Sequence, residues 1–186
     1  INDFLAKYPP EVLRYLVLSH HYRSPMNYTD EIIFQTKNSI NSLRELFAKL
    51  NLVIKKSLLK SLQNNLFSDL EKMKENFYIA MNDDFNTPSA LSNIFIFINQ
   101  YQKDLYGLSK KEARAIYKEI FGLLKIFGLN FKPLEIPKNI LILINERESA
   151  RINKDFTKSD TLRKQMEELN YKITDTQLGQ LIFKPK

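Results

Sequence analysis

Apolar side chains recur at three- and four-residue spacing along most of the 186 residues, and only four glycines interrupt the pattern. Such spacing places the apolar side chains on one face of each of several amphipathic helices. The segment that follows Thr29 is typical, with apolar residues at positions 32, 33, 40, 43, 46, 47 and 50. Helices of this kind bury their apolar faces against one another, so the sequence predicts an antiparallel helical bundle.

Local signals predict where the bundle helices begin and end. Thr29 and Thr87 are suitable N-caps, and Ser109 with Glu112 has the spacing of a capping box. Pro88 suits a first helical turn, and Ser24-Pro25 is a break. The predicted helices cover residues 10–22, 29–50, 58–81, 87–105 and 109–128.

The last third of the chain changes character after residue 128. Residues 129–138 contain two prolines and predict an extended connector. Helices are predicted at 139–155 and 157–169, with Thr157 as the N-cap of the second and Asn170 in the left-handed position that ends it. Short strands at 171–174 and 181–183 flank a turn at Gly179. The predicted fold is therefore mainly α, with a helical bundle at 1–128 followed by a small α+β domain with a β-hairpin at 139–186.

Residue usage argues against a self-sufficient enzyme. The chain has no cysteine and two adjacent histidines, which excludes thiolate metal sites and a Cys nucleophile and leaves little for a histidine-based site. The four glycines are isolated and form no phosphate-binding loop. Asp83-Asp84 fits a turn better than a metal site, so we predict no catalytic residue and no metal ligand. The net charge of +7 is compatible with a polyanionic partner but does not identify one.

The predicted C-terminal domain concentrates charged side chains around one aromatic residue. The charged residues are Arg147, Arg151 and Asp155 at four-residue spacing on one helix, and Asp160 and Arg163 on the next. Phe156 lies between the two helices. An aromatic ring flanked by acids and arginines suits recognition of single-stranded bases. Ion pairs on solvated helix faces and a phenylalanine that fills a small core explain the same spacing, and the spacing alone leaves both interpretations open.

Three segments then occur in a characteristic order. Residues 8–28 contain YPPEVLRY and HHYRSPMNY, residues 81–91 read MNDDFNTPSAL, and residues 151–176 contain RINKDF, SDTLR and ITDT. Together they resemble the C-terminal region of cysteinyl-tRNA synthetase, a class I aminoacyl-tRNA ligase. Pro9 and Asn82 stand where that family usually has aspartate, and Phe183 stands where it often has tryptophan.

The resemblance implies a role in protein biosynthesis that this stretch performs only in part. The family's nucleotide-binding catalytic domain, with its HIGH and KMSKS signatures, ATP site and zinc-binding cysteines, would lie upstream of Ile1. We therefore expect these 186 residues to bind no cofactor and to be inactive alone. The implied partners are tRNA(Cys) and the protein's own catalytic domain, with neither DNA nor membrane, in the cytoplasm.

The resemblance also assigns residues to a function. The bundle would contact the anticodon stem, and the C-terminal domain would read the GCA anticodon through Arg151, Phe156, Asp160, Arg163 and Asp175. An aspartate can accept hydrogen bonds from guanine or adenine, and an arginine can donate to cytosine or hold a phosphate. Which residue meets which base stays open. The alternatives are another synthetase, such as an arginyl or methionyl enzyme, and a helical protein-interaction module with no RNA role.

Overall fold

The computed structural model describes residues 1–59, 65–131 and 134–185. These residues form α-helices and a two-stranded antiparallel sheet. The chain divides into two compact units, Ile1–Phe131 and Lys132–Pro185. Helices dominate the first unit, and the second combines two helices with the hairpin, so the predicted fold class is confirmed. No helix within the described ranges is long and apolar enough to cross a lipid bilayer.

The helices of the first unit follow the predicted order with shifted ends. They are α1 (Asn2–Lys7), α2 (Pro10–Leu18), α3 (Asp30–Lys56), α4 (Leu66–Asn82), α5 (Thr87–Tyr101) and α6 (Lys110–Ile126), with a short 3-10 helix at Leu105–Gly107. Helix α1 was not predicted; it is short and buries only Phe4. Helix α2 ends at Leu18 rather than at Tyr22.

The predicted helix at 58–81 begins too early. Helix α3 continues to Lys56 because Val53 extends its buried face, and residues 57–59 are not helical. Helix α4 starts at Leu66. The predicted segment 60–64, including Leu62, lies outside the described residues.

Two of the three predicted caps in this unit are confirmed. The Thr29 hydroxyl accepts a hydrogen bond from the Ile32 N–H at 3.3 Å. The capping box is complete, since the Ser109 side chain accepts from the Glu112 N–H at 3.3 Å and the Glu112 carboxylate accepts from the Ser109 N–H at 2.8 Å.

The predicted cap at Thr87 is wrong. Asn86 caps α5 instead, and its side-chain oxygen accepts from the Ser89 N–H at 3.2 Å. Asparagine is at least as good an N-cap as threonine. Capping by Asn86 leaves the Thr87 hydroxyl to donate to the Leu18 carbonyl at 2.8 Å, which ties the start of α5 to the end of α2.

Apolar side chains from all the long helices form the core of the first unit. Fully buried members include Leu16, Leu43, Leu50, Phe77, Ile94 and Ile120. Leu129 and Phe131, placed in the connector by the sequence, are also buried, and the Phe131 ring stacks on Phe47 at 5.5 Å. Gly128 has a φ of +67°, and the Arg14 guanidinium donates to its carbonyl. A Cβ at residue 128 would lie 2.7 Å from Arg14 Nη1. A side chain there would therefore strain the left-handed backbone and displace the Arg14 guanidinium.

The second unit consists of α7 (Lys138–Ile152), α8 (Phe156–Glu168), β1 (Lys172–Thr176) and β2 (Gly179–Phe183). The strands pair antiparallel, from Lys172 opposite Phe183 to Thr176 opposite Gly179. A small core unites helices and hairpin through Ile140, Ile144, Met166, Tyr171 and Ile173. Asn170 has a φ of +62°, as predicted.

The predicted ends of these two helices need correction. Helix α7 stops at Ile152, three residues early, because Lys154 takes a left-handed φ of +59° and turns the chain. The cap of α8 is Asp155 rather than Thr157, and its carboxylate accepts from the Lys158 N–H at 3.0 Å. Aspartate is the stronger cap of the two, so the helix begins at Phe156.

Candidate nucleic-acid interface

A single carboxylate, that of Asp175, joins two arginines of α7 in the second unit. Arg147 donates to both of its oxygens, from Nη1 to Oδ1 at 2.8 Å and from Nη2 to Oδ2 at 2.9 Å. Arg151 Nη1 lies 3.0 Å from Oδ2. We call Asp175, its two arginines and Gln180 the arginine–aspartate cluster. Bidentate arginine–carboxylate pairs are both strong and geometrically specific.

The sequence positions this cluster through two simple periodicities. Arg147 and Arg151 are four residues apart on α7 and therefore share a face. Asp175 of β1 lies directly opposite Gln180 of β2, and side chains at such paired positions share one face of a hairpin. Arg147 Nη1 also donates to Gln180 Oε1 at 2.8 Å, and Gln180 Nε2 donates to the Ile144 carbonyl at 3.3 Å.

Exposure increases from one side of the cluster to the other. Arg147 is 1% exposed, whereas the side chains of Asp175 and Arg151 are 37% and 41% exposed. Hydrogen bonds from Arg147 hold the pKa of Asp175 below its ordinary value, and the charges of Arg147 and Arg151 act in the same direction. The same hydrogen bonds raise the pKa of Arg147 against the effect of its burial. Both groups are therefore charged at neutral pH, and the cluster as a whole has two positive charges against one negative charge.

The corner between α7 and α8 presents Phe156 to solvent. The Asp155 N–H donates to the Ala150 carbonyl at 2.8 Å, and the Lys154 N–H donates to the Arg151 carbonyl at 3.0 Å. This is the bonding pattern of a Schellman turn, with Lys154 in the left-handed position that glycine usually takes. Phe156 is 60% exposed, so it does not fill the core of this unit.

Helix α8 contributes Asp160 and Arg163, both exposed. Arg163 Nε donates to Glu167 at 3.0 Å rather than to Asp160. Both residues interact electrostatically with the cluster. The charge of Asp160 helps to raise the pKa of Arg147, and the charge of Arg163 helps to lower the pKa of Asp175. Of the five residues assigned from the resemblance, the structure brings Arg151 and Asp175 into contact.

Sequence reasoning placed Arg147 on the charged face but assigned it no function, and it missed Gln180. The four-residue spacing of the two arginines was a visible signal. The pairing of Gln180 with Asp175 was available only from the register of the hairpin, which the sequence does not specify in advance. Among the described residues, no group of three or more His, Asp or Glu could hold a metal ion.

A second polar cluster lies in the first unit and joins two of the three characteristic segments. The Tyr22 hydroxyl donates to Asp84 Oδ1 at 2.7 Å. Arg23 Nη2 donates to Asp84 Oδ1 at 3.2 Å. Arg23 Nε donates to the Tyr22 hydroxyl at 2.9 Å and lies 3.2 Å from Asp84 Oδ2. Asp84 and Phe85 both have a φ of +52°, and Phe85 is 65% exposed. Two consecutive non-glycine residues in this region are strained, and the contacts to Asp84 help to hold them there.

The chain is similar in sequence to known proteins along nearly its whole length. The DALR domain family matches residues 76–132. The cysteine–tRNA ligase of Methanococcus maripaludis is 32% identical over 99% of this chain and 41% of its own length. The cysteine–tRNA ligases of Bacillus licheniformis and Bacillus cereus are also 32% identical, over 96% of this chain and 39% of their lengths. The chain thus spans about two-fifths of the curated relatives that it matches.

These matches extend beyond the domain family to nearly every described element, including the second unit with its arginine–aspartate cluster. Residues 76–132 thus match the DALR domain family, and the chain as a whole is similar to about two-fifths of each of these cysteine–tRNA ligases.

Proposed function

We propose that this chain binds tRNA(Cys) as part of a cysteine–tRNA ligase and that its second unit reads the GCA anticodon. The observation that carries the proposal is the arginine–aspartate cluster, in which Arg151 and Asp175 hold each other at the surface. The names of the relatives support the choice of tRNA and amino acid. ATP-dependent joining of cysteine to tRNA would take place outside these 186 residues.

The second unit offers each type of contact that a single-stranded base requires. Phe156 is exposed and supplies a ring on which an unstacked base can lie. The Arg151 guanidinium forms an ion pair with Asp175 through Nη1, and it carries several N–H donors that can reach a base. Asp160 is exposed, and its carboxylate can accept hydrogen bonds from the N–H groups of guanine. These contacts suit a loop whose bases are splayed outward, as sequence-specific RNA recognition usually demands.

Discrimination would come from groups that a wrong base leaves unpaired. A site built to hydrogen-bond one base rejects a base that lacks the matching donor or acceptor. The polar group of the site then gives up its hydrogen bonds to water and gains none from the base. Asp175 is already fixed by two arginines, so it loses little conformational entropy on binding. A mismatched base would therefore meet a site that cannot adapt to it.

The test is binding of the chain to an RNA hairpin with the anticodon loop GCA, compared with hairpins in which each anticodon base is changed. Measurements at two salt concentrations separate base readout from phosphate attraction, because phosphate contacts weaken steeply with salt. We expect each changed base to weaken binding by about tenfold, the scale of one lost base contact. Equal, salt-sensitive binding to all hairpins would overturn anticodon reading by this chain.

The negative charge of Asp160 allows its role in base recognition to be tested separately from phosphate attraction. Removing a negative charge should strengthen non-specific attraction to RNA, so a loss of affinity in Asp160→Ala requires the loss of a specific contact. Glu146→Ala is the matched control, since Glu146 is an exposed carboxylate of the same unit. We expect Asp160→Ala to weaken binding to the GCA hairpin and Glu146→Ala to leave it equal or slightly tighter. Binding to a protein partner with no affinity for any hairpin would favour the protein-interaction alternative.

A further inference from the structure

We propose that Arg147 is a positioning residue for base recognition, which fixes Asp175 and through it Arg151 without reaching the RNA itself. The inference rests on the proposed function of the second unit. It adds a residue that the resemblance to cysteinyl-tRNA synthetase leaves without a role.

Burial separates Arg147 from any ligand at the surface. Its side chain is 2% exposed, and its described hydrogen bonds go to Asp175 and Gln180. The side chain of Arg151, one turn further along α7, is 41% exposed and forms an ion pair with the same carboxylate. Asp175 therefore lies between an inner arginine that cannot meet RNA and an outer arginine that can.

The geometry shows how the inner arginine would act on the outer one. The two parallel hydrogen bonds from Arg147 fix the plane of the Asp175 carboxylate, which a single bond could not do. Arg151 Nη1 then forms an ion pair with Asp175 Oδ2 at 3.0 Å. A long exposed arginine samples many rotamers, and a fixed carboxylate at one end of its guanidinium restricts them. The remaining donors of Arg151 are thus held in one arrangement before RNA arrives.

Stability alone does not account for an arginine at this position. Burying a guanidinium is costly, and well-packed apolar side chains often stabilise a protein as much as a buried ion pair does. Here the cost is not fully compensated, since Arg147 Nε is buried without a hydrogen-bond partner among the described residues. An arrangement that is expensive for folding and specific in geometry favours a role in presenting the surface groups.

The experiment is a double-mutant cycle between Arg147→Lys and Asp175→Asn in the full chain. The readout is selectivity, defined as Kd for a base-changed hairpin divided by Kd for the GCA hairpin. Lysine keeps the charge but lacks the fork of donors. We expect Arg147→Lys to reduce selectivity by about tenfold, the effect of one lost base contact, with little change in affinity for the altered hairpins. In the Asp175→Asn background, Arg147→Lys should cause little further loss, because it acts through Asp175.

Arg44→Lys is the matched control, since Arg44 pairs with Glu11 in the first unit and its side chain is 16% exposed. It should leave selectivity unchanged. Equal weakening of all hairpins by Arg147→Lys, or additive losses in the cycle, would overturn the proposal in favour of a purely structural role.

A second measurement separates this inference from the proposed function. NMR of the RNA-free chain reports the carboxyl titration of Asp175 and the mobility of the Arg151 guanidinium. We expect Arg147→Lys to shift the titration of the Asp175 carboxyl group and to increase the mobility of the Arg151 guanidinium. If both are unchanged, the positioning role is wrong whatever the RNA results. If both change but the wild-type chain binds every hairpin equally, anticodon reading fails and with it the role of Arg147 in selectivity.

Discussion

The two units of this chain bury different kinds of side chain. The first is filled by apolar residues, and its buried charged residue, Glu112, serves the capping box of α6. In the second, an arginine is fully buried, and Arg147 has the largest fully buried side chain among the described residues. One unit is held together by burial of apolar surface, and the other adds a network of ionic hydrogen bonds.

The two units also differ in whether a residue that stabilises the fold can take part in binding. In the bundle, the apolar residues that form the core lie away from solvent, so most surface positions can be replaced without loss of core packing. In the second unit, Asp175 both bonds to buried Arg147 and lies partly at the surface. Substitutions in the arginine–aspartate cluster should therefore affect folding and recognition together.

The largest effect should come from the core of the bundle. Phe77 is completely buried, and its ring lies 5.3 Å from that of Phe127. Phe77→Ala should lower the free energy of unfolding of the first unit by about 4 kcal/mol, through lost burial and the cavity left behind. Hydrogen exchange followed residue by residue should show reduced protection in α4 and unchanged protection in β1 and β2. Parallel loss in both units would show that they unfold together.

Replacing the buried arginine should have the next largest effect, confined to the second unit. Arg147→Met keeps much of the volume but removes three hydrogen bonds. We expect the free energy of unfolding of the second unit to fall by about 3 kcal/mol, the lower end of the range for a broken buried ion pair. The effect is at the lower end because Asp175 is partly exposed and keeps its ion pair with Arg151. Exchange of the hairpin amides is the measurement. Arg163→Met, which removes an exposed pair with Glu167, is the control and should cost about 0.5 kcal/mol.

Helix caps allow a comparison at smaller scale. Ser109 is buried and its partner Glu112 is completely buried, whereas Asp155 is exposed. Ser109→Ala should cost about 2 kcal/mol and Asp155→Ala about 0.5 kcal/mol, the two ends of the range for N-caps, because water can replace only the exposed cap. Thermal unfolding followed by circular dichroism measures both. A larger effect at Asp155 would mean that the cap in the second unit also orders the corner at Phe156.

The sequence was sufficient for the bundle and only partly so for the cluster. Apolar spacing and caps located α3, α5 and α6 because these signals are local. The break between α3 and α4 was predicted too early in the chain, between residues 50 and 58, whereas α3 continues to Lys56. The contact between Arg147 and Asp175 joins residues 28 positions apart. It depends on how α7 packs on the hairpin, which local signals do not encode.

The Asp84 contacts in the first unit carry a consequence for how such chains change over evolutionary time. Tyr22 and Asp84 are 62 positions apart, yet one hydrogen bond joins them, and Arg23 reinforces it. Two segments that look like separate signatures along the chain therefore depend on each other in the folded structure. Among relatives, substitutions at Asp84 should be accompanied by substitutions at Tyr22 or Arg23, and an exchange of either segment alone between two relatives should be tolerated less well than an exchange of both.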